Sequence, residues 1–307
     1  MKAAFFRRHG PPEVLEYGEV PDPVAGPGEV LIDVHAASVN AADWKQRAGQ
    51  YAGKVDLPHI PGRDFSGVVA ALGEGARDFR PGEPVFGVCE VPAEGAYAQK
   101  IALRQELVAR KHERLSHLEC AALGLAGLTA LISIDDTLKL EAGETVLIHG
   151  GAGGVAGFAI QLAKHRGARV ISTASAANHA YVRGLGADTV IDYRMQDFTR
   201  LVSGCDAVFD TVGGDVTERS FAVLGRGGRL ASIAAGARAP ASPRADVRSL
   251  RPNVKRSRKN LERLAVLHAE GVLRIPELSV FPLAQAAAAH RVSEARHLRG
   301  KLVLQVR

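Results

Sequence analysis

Thr145-Val146-Leu147-Ile148-His149-Gly150-Gly151-Ala152-Gly153-Gly154-Val155-Ala156 runs from a continuous apolar segment through a glycine cluster into Val155 to Arg166, where Phe158, Ile160, Leu162 and Ala163 recur at helical spacing. An uninterrupted apolar run of this kind is expected of a central parallel strand covered on both faces. Gly151, Gly153, Gly154 and Val155 fall in a G-x-G-x-x-A pattern at the strand-to-helix turn, the context in which that pattern carries weight. Residues without Cβ let the backbone turn tightly and approach a pyrophosphate, while the N–H groups and dipole of the following helix favour an anion. The reading is a dinucleotide-binding turn; a glycine turn needed only to pack helix on sheet is the plainer alternative.

Outward from this turn the chain alternates. Arg169 to Thr173, Thr189 to Tyr193, Ala207 to Asp210 and Arg229 to Ile233 read as strands, with helical stretches near Asn178 to Leu185, Asp197 to Val202 and Val216 to Leu224. That alternation predicts an α/β fold with a doubly wound parallel sheet and right-handed crossovers. Upstream, residues 1–118 are rich in Gly, Pro and short apolar runs bounded by turns such as Pro27-Gly28 and Pro81-Gly82, and predict an irregular, mostly β domain. Glu119 to Ile134, Ala- and Leu-rich without proline, reads as a buried helix. Downstream, Lys259 to Glu270 reads as a helix and Gly300 to Val306 as a terminal strand that needs the opening domain's sheet as host. The expected division is therefore 1–118, 119–254 for the nucleotide domain, and 255–307 as a return to the first domain.

At 307 residues, 46% hydrophobic and 23% charged, the chain has the composition of a globular protein and not of a disordered or fibrous one. Its net charge of +6 implies tolerance of anionic ligands and little more. Cys89, Cys120 and Cys205 are odd in number and far apart, which excludes a disulfide framework and a zinc knuckle. The opening residues lack a signal-peptide core, and no segment reads as the ~18 apolar residues of a membrane span, so a cytoplasmic location and no membrane partner are expected.

A site that prefers NAD carries Asp or Glu about 20 residues beyond the glycine loop, at the end of the second strand. Thr173-Ala174-Ser175 stands there instead. No carboxylate opposes a 2′-phosphate, Ser175 can donate to one, and His179, Arg183 and Tyr193 follow, so NADPH is the expected cofactor.

Several ordered motifs point the same way: Val39-Asn40-Ala41-Ala42-Asp43, Pro61-Gly62-Arg63-Asp64-Phe65-Ser66-Gly67, Gly95-Ala96-Tyr97-Ala98, Ala126-Gly127-Leu128-Thr129-Ala130, Leu185-Gly186-Ala187-Asp188 and Gly300-Lys301-Leu302-Val303-Leu304. Together they resemble the medium-chain dehydrogenase/reductase superfamily in its zinc-independent quinone oxidoreductase, zeta-crystallin-like branch. The resemblance runs almost end to end. It implies a GroES-like, mostly β catalytic domain built from both chain ends, with a Rossmann doubly wound parallel-sheet cofactor domain between them. It implies that Asn40 donates its amide N–H to the substrate oxygen and that Tyr51 donates a hydrogen bond or the proton. Asp43 reads as an orienting residue, with a helix cap as the alternative. Thr129 matches a position used near the nicotinamide, and Tyr193 one that contacts the 2′-phosphate in some members, although Asn178-His179 stands where Lys is frequent. Gly213, Gly214, Ile233 and Ala234 fall at strand C-termini, where open α/β sheets bind ligands. Arg296 is a further phosphate candidate, with a plain surface role as the alternative.

Zinc members of this superfamily hold their metal with a Cys where Asn40 stands and a His where Arg63 stands. An amide and a guanidinium are not zinc ligands at such a site, and three cysteines cannot supply a four-Cys structural lobe, so no metal is expected. Without a Lewis acid, conjugate acceptors are the easier substrates: hydride delivered to a quinone or to an enone β-carbon leaves a delocalised oxyanion that a few hydrogen-bond donors stabilise. The expected activity is NADPH-dependent reduction of a quinone or an α,β-unsaturated carbonyl compound. The basic run from Arg244 to Arg263, with no interleaved aromatics, reads as a solvated helix face and linker and not as a nucleic-acid surface. The alternative class is a catalytically weak NADPH-binding sensor or RNA-binding crystallin-like protein. The resemblance also suggests a homodimer joined through edge strands, with Asp246 to Leu250 as the edge.

Overall fold

The computed structural model describes residues 1–50, 55–91, 93–236 and 238–307. Two compact units are present, one formed by Met1–Ala126, Arg256–Glu270 and Ile275–Arg307, the other by Gly127–Lys255 and Gly271–Arg274. In chain order the first begins with β1 (Lys2–Phe6), β2 (Leu15–Glu19), β3 (Glu29–Val39), α1 (Ala41–Arg47), β4 (Asp64–Leu72), β5 (Pro84–Val88), β6 (Lys100–Arg104), β7 (Val108–Arg110) and α2 (His117–Leu131). The second holds β8 (Thr145–Ile148), α3 (Gly154–His165), β9 (Arg169–Ala174), α4 (His179–Gly184), β10 (Thr189–Asp192), α5 (Phe198–Leu201), β11 (Cys205–Asp210), α6 (Asp215–Ser220), β12 (Leu224–Ser232) and β13 (Arg248–Leu250). The return to the first unit supplies α7 (Arg258–Ala269), β14 (Leu278–Pro282), α8 (Ala286–Glu294) and β15 (Lys301–Gln305). By compactness the units divide at Ala126 and Lys255, beside expected borders at 118 and 254; α2 runs through the first of these.

The first unit is built on a seven-stranded sheet in which β14, β15, β3, β4, β5 and β7 follow one another and β6 also pairs with β3. Along β3, Val30, Ile32 and Val34 are fully buried at the two-residue period of a strand with one covered face. Beyond them the alternation stops: Ala36, Ala37, Ser38 and Val39 are all buried. Ala36 packs with Ala121, Ala122 and Val303 on one side, and Val39 joins Phe65, Tyr97 and Leu302 on the other. The strand thus carries Ser38 and Asn40 into the interior. The terminal strand β15 finds its host in this sheet, antiparallel to β3 with Leu302 opposite Val39.

In the second unit six strands lie parallel in the order β10, β9, β8, β11, β12, β13. Leu147, Ile171, Ile191, Val208 and Leu230 line one covered face together with Phe198 and Phe221. Helices α3 to α6 follow their strands as the alternation requires, and each expected strand is present with ends shifted by a few residues.

The expectation that no segment is long and apolar enough to cross a membrane is corrected. The helix His117–Leu138, comprising α2 and a π-helical extension Ile132–Leu138, meets that test, but 78% of its apolar window is buried inside the fold. A helix surrounded by protein is apolar all round for the same reason a membrane helix is. Two arginines of the basic run are used in folding: Arg244 pairs with Asp246 and donates to the carbonyls of Phe221 and Leu224, while Arg258 pairs with Asp78 and donates to those of Val108 and Gln105.

Candidate active site

Register brings three distant residues together at the end of β3. Leu302 opposite Val39 puts Lys301 beside Asn40, and Phe65 opposite Ala37 puts Asp64 beside Ser38. The half-buried Asn40 is the N-cap of α1, and Asp43 accepts its backbone N–H at 2.8 Å. Its side chain spans two buried charges: Nδ2 donates to Asp64 Oδ1 at 2.8 Å, and Oδ1 accepts from Lys301 Nζ at 2.8 Å. Lys301 also donates to the Val39 carbonyl at 3.0 Å. The Asp64 carboxylate accepts further from Ser38 Oγ at 2.8 Å and from the Leu125 backbone at 2.7 Å. Asn40 Nδ2 contacts Ser38 Oγ at 3.4 Å and the Ser38 carbonyl at 3.5 Å, both at the distance limit, so only one of its two hydrogens is firmly held. Asn40, expected as the donor to a substrate oxygen, is gripped at both ends of its amide.

Asp43 is fully buried and reaches no solvent. Its Oδ2 accepts from Asn40 and from the Tyr97 hydroxyl at 3.1 Å, and the latter contacts His290 Nε2 at 3.3 Å. Burial pushes the Asp43 carboxyl up to about 7, with Arg63 opposing and Glu94 and Asp64 reinforcing the rise. Its position fits a residue that fixes the start of α1. Asp64 is likewise raised by burial against the pull of Lys301, and Lys301 is lowered by burial against the pull of Asp64 and Asp43. Arg63 donates to Glu94 at 2.6 Å, and Glu94 also contacts His59 at 3.1 Å. Burial raises the Glu94 carboxyl, but His59 and Arg63 outweigh it and leave it below the usual carboxylate range. Tyr51 lies outside the described residues.

In the second unit Gly153 is the N-cap of α3 and offers no side chain to the first-turn N–H groups, which remain for an anion. A Cβ on Gly151 would stand 2.2 Å from Ser172 Oγ, and Gly150, at φ +74°, would bring one to 2.8 Å from Thr211 Oγ1. The end of β9 holds this loop: the Thr173 carbonyl accepts from Gly151 at 2.9 Å and Thr173 Oγ1 from Gly150 at 3.1 Å. Gly154 and Val155 open α3, and Thr129 lies buried in α2. Ser175 follows β9 and accepts from Asn178 at 3.2 Å; His179 contacts the Ala174 carbonyl at 3.3 Å; Tyr193 is exposed at the end of β10. Asp192, in register with Ala174, accepts from the Arg194 backbone. Gly213 and Ala234 touch, since a Cβ on the former would lie 2.9 Å from that of the latter. Ile233 and Gly214 flank the same loop ends. Arg296 belongs to the first unit, at φ +57°, with its guanidinium over the Trp44 ring.

Some of these residues escaped sequence reasoning. Buried Asp210 accepts from the backbones of Val212 and Gly213, from Ser232 Oγ at 3.0 Å and from Thr217, and so orders the loops after β11 and β12. Asp64 and Lys301 stand inside the quoted motifs without a role, and Glu94 stands outside them. The available signal was a charged residue at the end of a mainly apolar strand: Asp64 heads β4, Lys301 heads β15 and Asp210 closes β11.

An anion-receiving glycine turn in one unit and a buried polar set around a gripped amide in the other define a dinucleotide-dependent oxidoreductase of two units. Residues 26–113 match the family model of the alcohol dehydrogenase GroES-like domain, and residues 185–304 that of the zinc-binding dehydrogenase. The NADPH-dependent alkenal/one oxidoreductase of Arabidopsis thaliana is 32% identical over 99% of this chain and 79% of its own. The quinone oxidoreductase of Coxiella burnetii superposes with a TM-score of 0.93 at 38% identity, covering 100% of this chain and 99% of its own. The Escherichia coli quinone oxidoreductase, solved with NADPH, gives a TM-score of 0.92 at 27% identity over the whole of both chains. The chain belongs to the medium-chain dehydrogenase/reductase superfamily, among its quinone oxidoreductases and enone reductases.

The zinc-binding dehydrogenase family raises the question of a zinc ion, and the residues present do not fit one. Asn40 Oδ1 is occupied by an ammonium, Arg63 is a cation paired with Glu94, and among the described residues no three His, Cys, Asp or Glu side chains converge.

Proposed function

We propose that the protein is an NADPH-dependent, zinc-independent reductase that delivers hydride to a quinone or to the β-carbon of an α,β-unsaturated carbonyl compound. The observation that carries this reading is the Asn40 amide, held between Lys301 and Asp64 with one hydrogen left to give. The glycine turn fits a dinucleotide pyrophosphate, and the missing carboxylate after β9 together with Ser175, His179 and Tyr193 favours one with a 2′-phosphate. When bound, NADPH supplies the hydride. Asn40 donates to the acceptor's oxygen as negative charge builds on it, and such a donor is worth most where water is excluded. Tyr51 donates a hydrogen bond or the proton, directly or through water, and Arg296 is a further phosphate contact. The relatives' printed activities on alkenals, alkenones and quinones support the acceptor class. A homodimer joined along β13 in the cytoplasm goes with this reading, β13 being the edge of the parallel sheet.

The test is consumption of NADPH with a panel of quinones and alkenones beside a cofactor-only binding measurement. Turnover of at least one conjugated acceptor, undiminished by a chelator, is expected. Tight NADPH binding without turnover of any acceptor would move the protein to the sensor class.

A further inference from the structure

The reading above takes Asn40 as the donor and gives the cation beside it no role in the reaction itself. Lys301 is 4% exposed, and its ammonium spends two hydrogens on the Val39 carbonyl and Asn40 Oδ1. A buried ion pair is a poor way to fill a core: apolar side chains of the same volume often hold a fold as well or better. Lys301 and Asp64 are opposite buried charges that meet through the Asn40 amide, so they call for a reason beyond packing, and the geometry supplies one. An ammonium can only donate and a carboxylate can only accept. With Lys301 at the amide oxygen and Asp64 at the amide nitrogen, both neighbours impose the same orientation. Reversing the amide would set N–H against ammonium and oxygen against carboxylate.

We propose that Lys301 is a positioning residue for acceptor reduction: it locks the Asn40 amide with Oδ1 on the ammonium and Nδ2 on Asp64 and polarises it, so that the second N–H is a stronger donor. The proposal rests on Asn40 being the donor to the acceptor oxygen. An amide whose oxygen accepts from a cation carries more positive charge on its N–H hydrogens, because hydrogen bonds in a chain reinforce one another. The orientation is fixed by the fold before any acceptor arrives, which is the condition under which a donor contributes most to a developing oxyanion.

The test uses the full-length protein as Lys301→Met, Lys301→Arg and the charge-free pair Lys301→Met with Asp64→Asn, each made with and without Asn40→Ala. Lys301→Met is expected to lower kcat by roughly ten- to a hundredfold with the KM for NADPH unchanged, and to add almost nothing in the Asn40→Ala background. Lys301→Arg, still charged and donor-only, should retain more activity than Lys301→Met. The charge-free pair separates positioning from an unpaired buried carboxylate: a kcat that stays low supports positioning, and a kcat that recovers overturns it. A second readout needs no turnover. The chain has four asparagines, so 15N-asparagine labelling gives four side-chain amide pairs, and the one lost in Asn40→Ala is Asn40. That pair should shift in Lys301→Met. An unmoved pair, or equal losses of kcat in both backgrounds, would overturn the proposal. If the unaltered protein turns over no acceptor, the functional reading fails by itself, and the amide shift still decides the role of Lys301.

Discussion

Asn40 carries two hydrogens on Nδ2 and gives one of them to Asp64, so its value to a reaction depends on the other. Removing a donor of this kind typically costs a factor of roughly 100 to 1,000 in turnover. Asn40→Ala should lower kcat by about that much and leave NADPH affinity intact, as steady-state kinetics with a quinone will show. It should also lower stability by ~1 kcal/mol, the usual cost of an N-cap replaced by alanine. Tyr51→Phe should lose less, since water can replace a proton donor.

The buried histidines make a separate claim about pH. His149, bonded to Thr173 and Ser220, is pushed by burial down to about 4, and His290 by burial to about 3. Both stay neutral in the fold while the unfolded chain charges below about pH 6.5, so their contribution to stability is full above that value and is lost as the pH falls toward their folded values. Asp43 acts in the opposite sense: its raised carboxyl contributes most below the ordinary aspartate range, and that contribution is lost as the pH rises through about 7. Comparing the protein with His149→Gln, in the unit without Asp43, isolates the histidine. The unaltered protein should lose roughly 2 kcal/mol more than the variant between pH 7 and pH 5 in denaturant titrations. Parallel losses would assign His149 an ordinary titration.

At the scale of elements, the second unit was legible because parallel strands buried on both faces read as unbroken apolar runs, and each is followed by its helix. The turn between β8 and α3 was legible for a steric reason: Gly151 leaves no room for a Cβ beside Ser172 Oγ. Gly151→Ala should weaken NADPH binding at least tenfold by calorimetry, because the displaced Ser172 hydroxyl also donates to the Ile148 carbonyl at the end of β8. Unchanged affinity would show that the loop has slack. The pairing of β15 with β3 was expected only as a return to the first domain. Its register was not readable, since it joins residues 261 positions apart, and that register alone sets Lys301 on Asn40. Asp43 was readable as a cap from its spacing to Asn40, whereas its burial under Tyr97 depends on tertiary packing.

For the whole molecule, both chain ends build one sheet, and β15 lies inside it between β14 and β3. A chain ending at Gly300 would leave β14 and α8 without their neighbour and uncover Leu302, Val303 and Leu304's partners in the core. Such a truncation should fail to give folded protein by circular dichroism and size-exclusion chromatography, and a soluble, cooperative truncated form would contradict the shared-sheet account. The nucleotide preference also belongs to this scale, since Ser175, His179 and Tyr193 come from separate parts of the second unit. NADPH should be preferred to NADH by kcat/KM, and equal kcat/KM for the two cofactors would contradict the assignment of these residues to a 2′-phosphate.

The most direct measurement is the fate of a label. With NADPH deuterated at the transferable position of the nicotinamide and a simple alkenone as acceptor, NMR of the product should find the deuterium on the β-carbon of a saturated ketone, with turnover indifferent to chelators. Deuterium on the carbinol carbon of an allylic alcohol, with activity lost to a chelator and restored by Zn²⁺, would contradict the account.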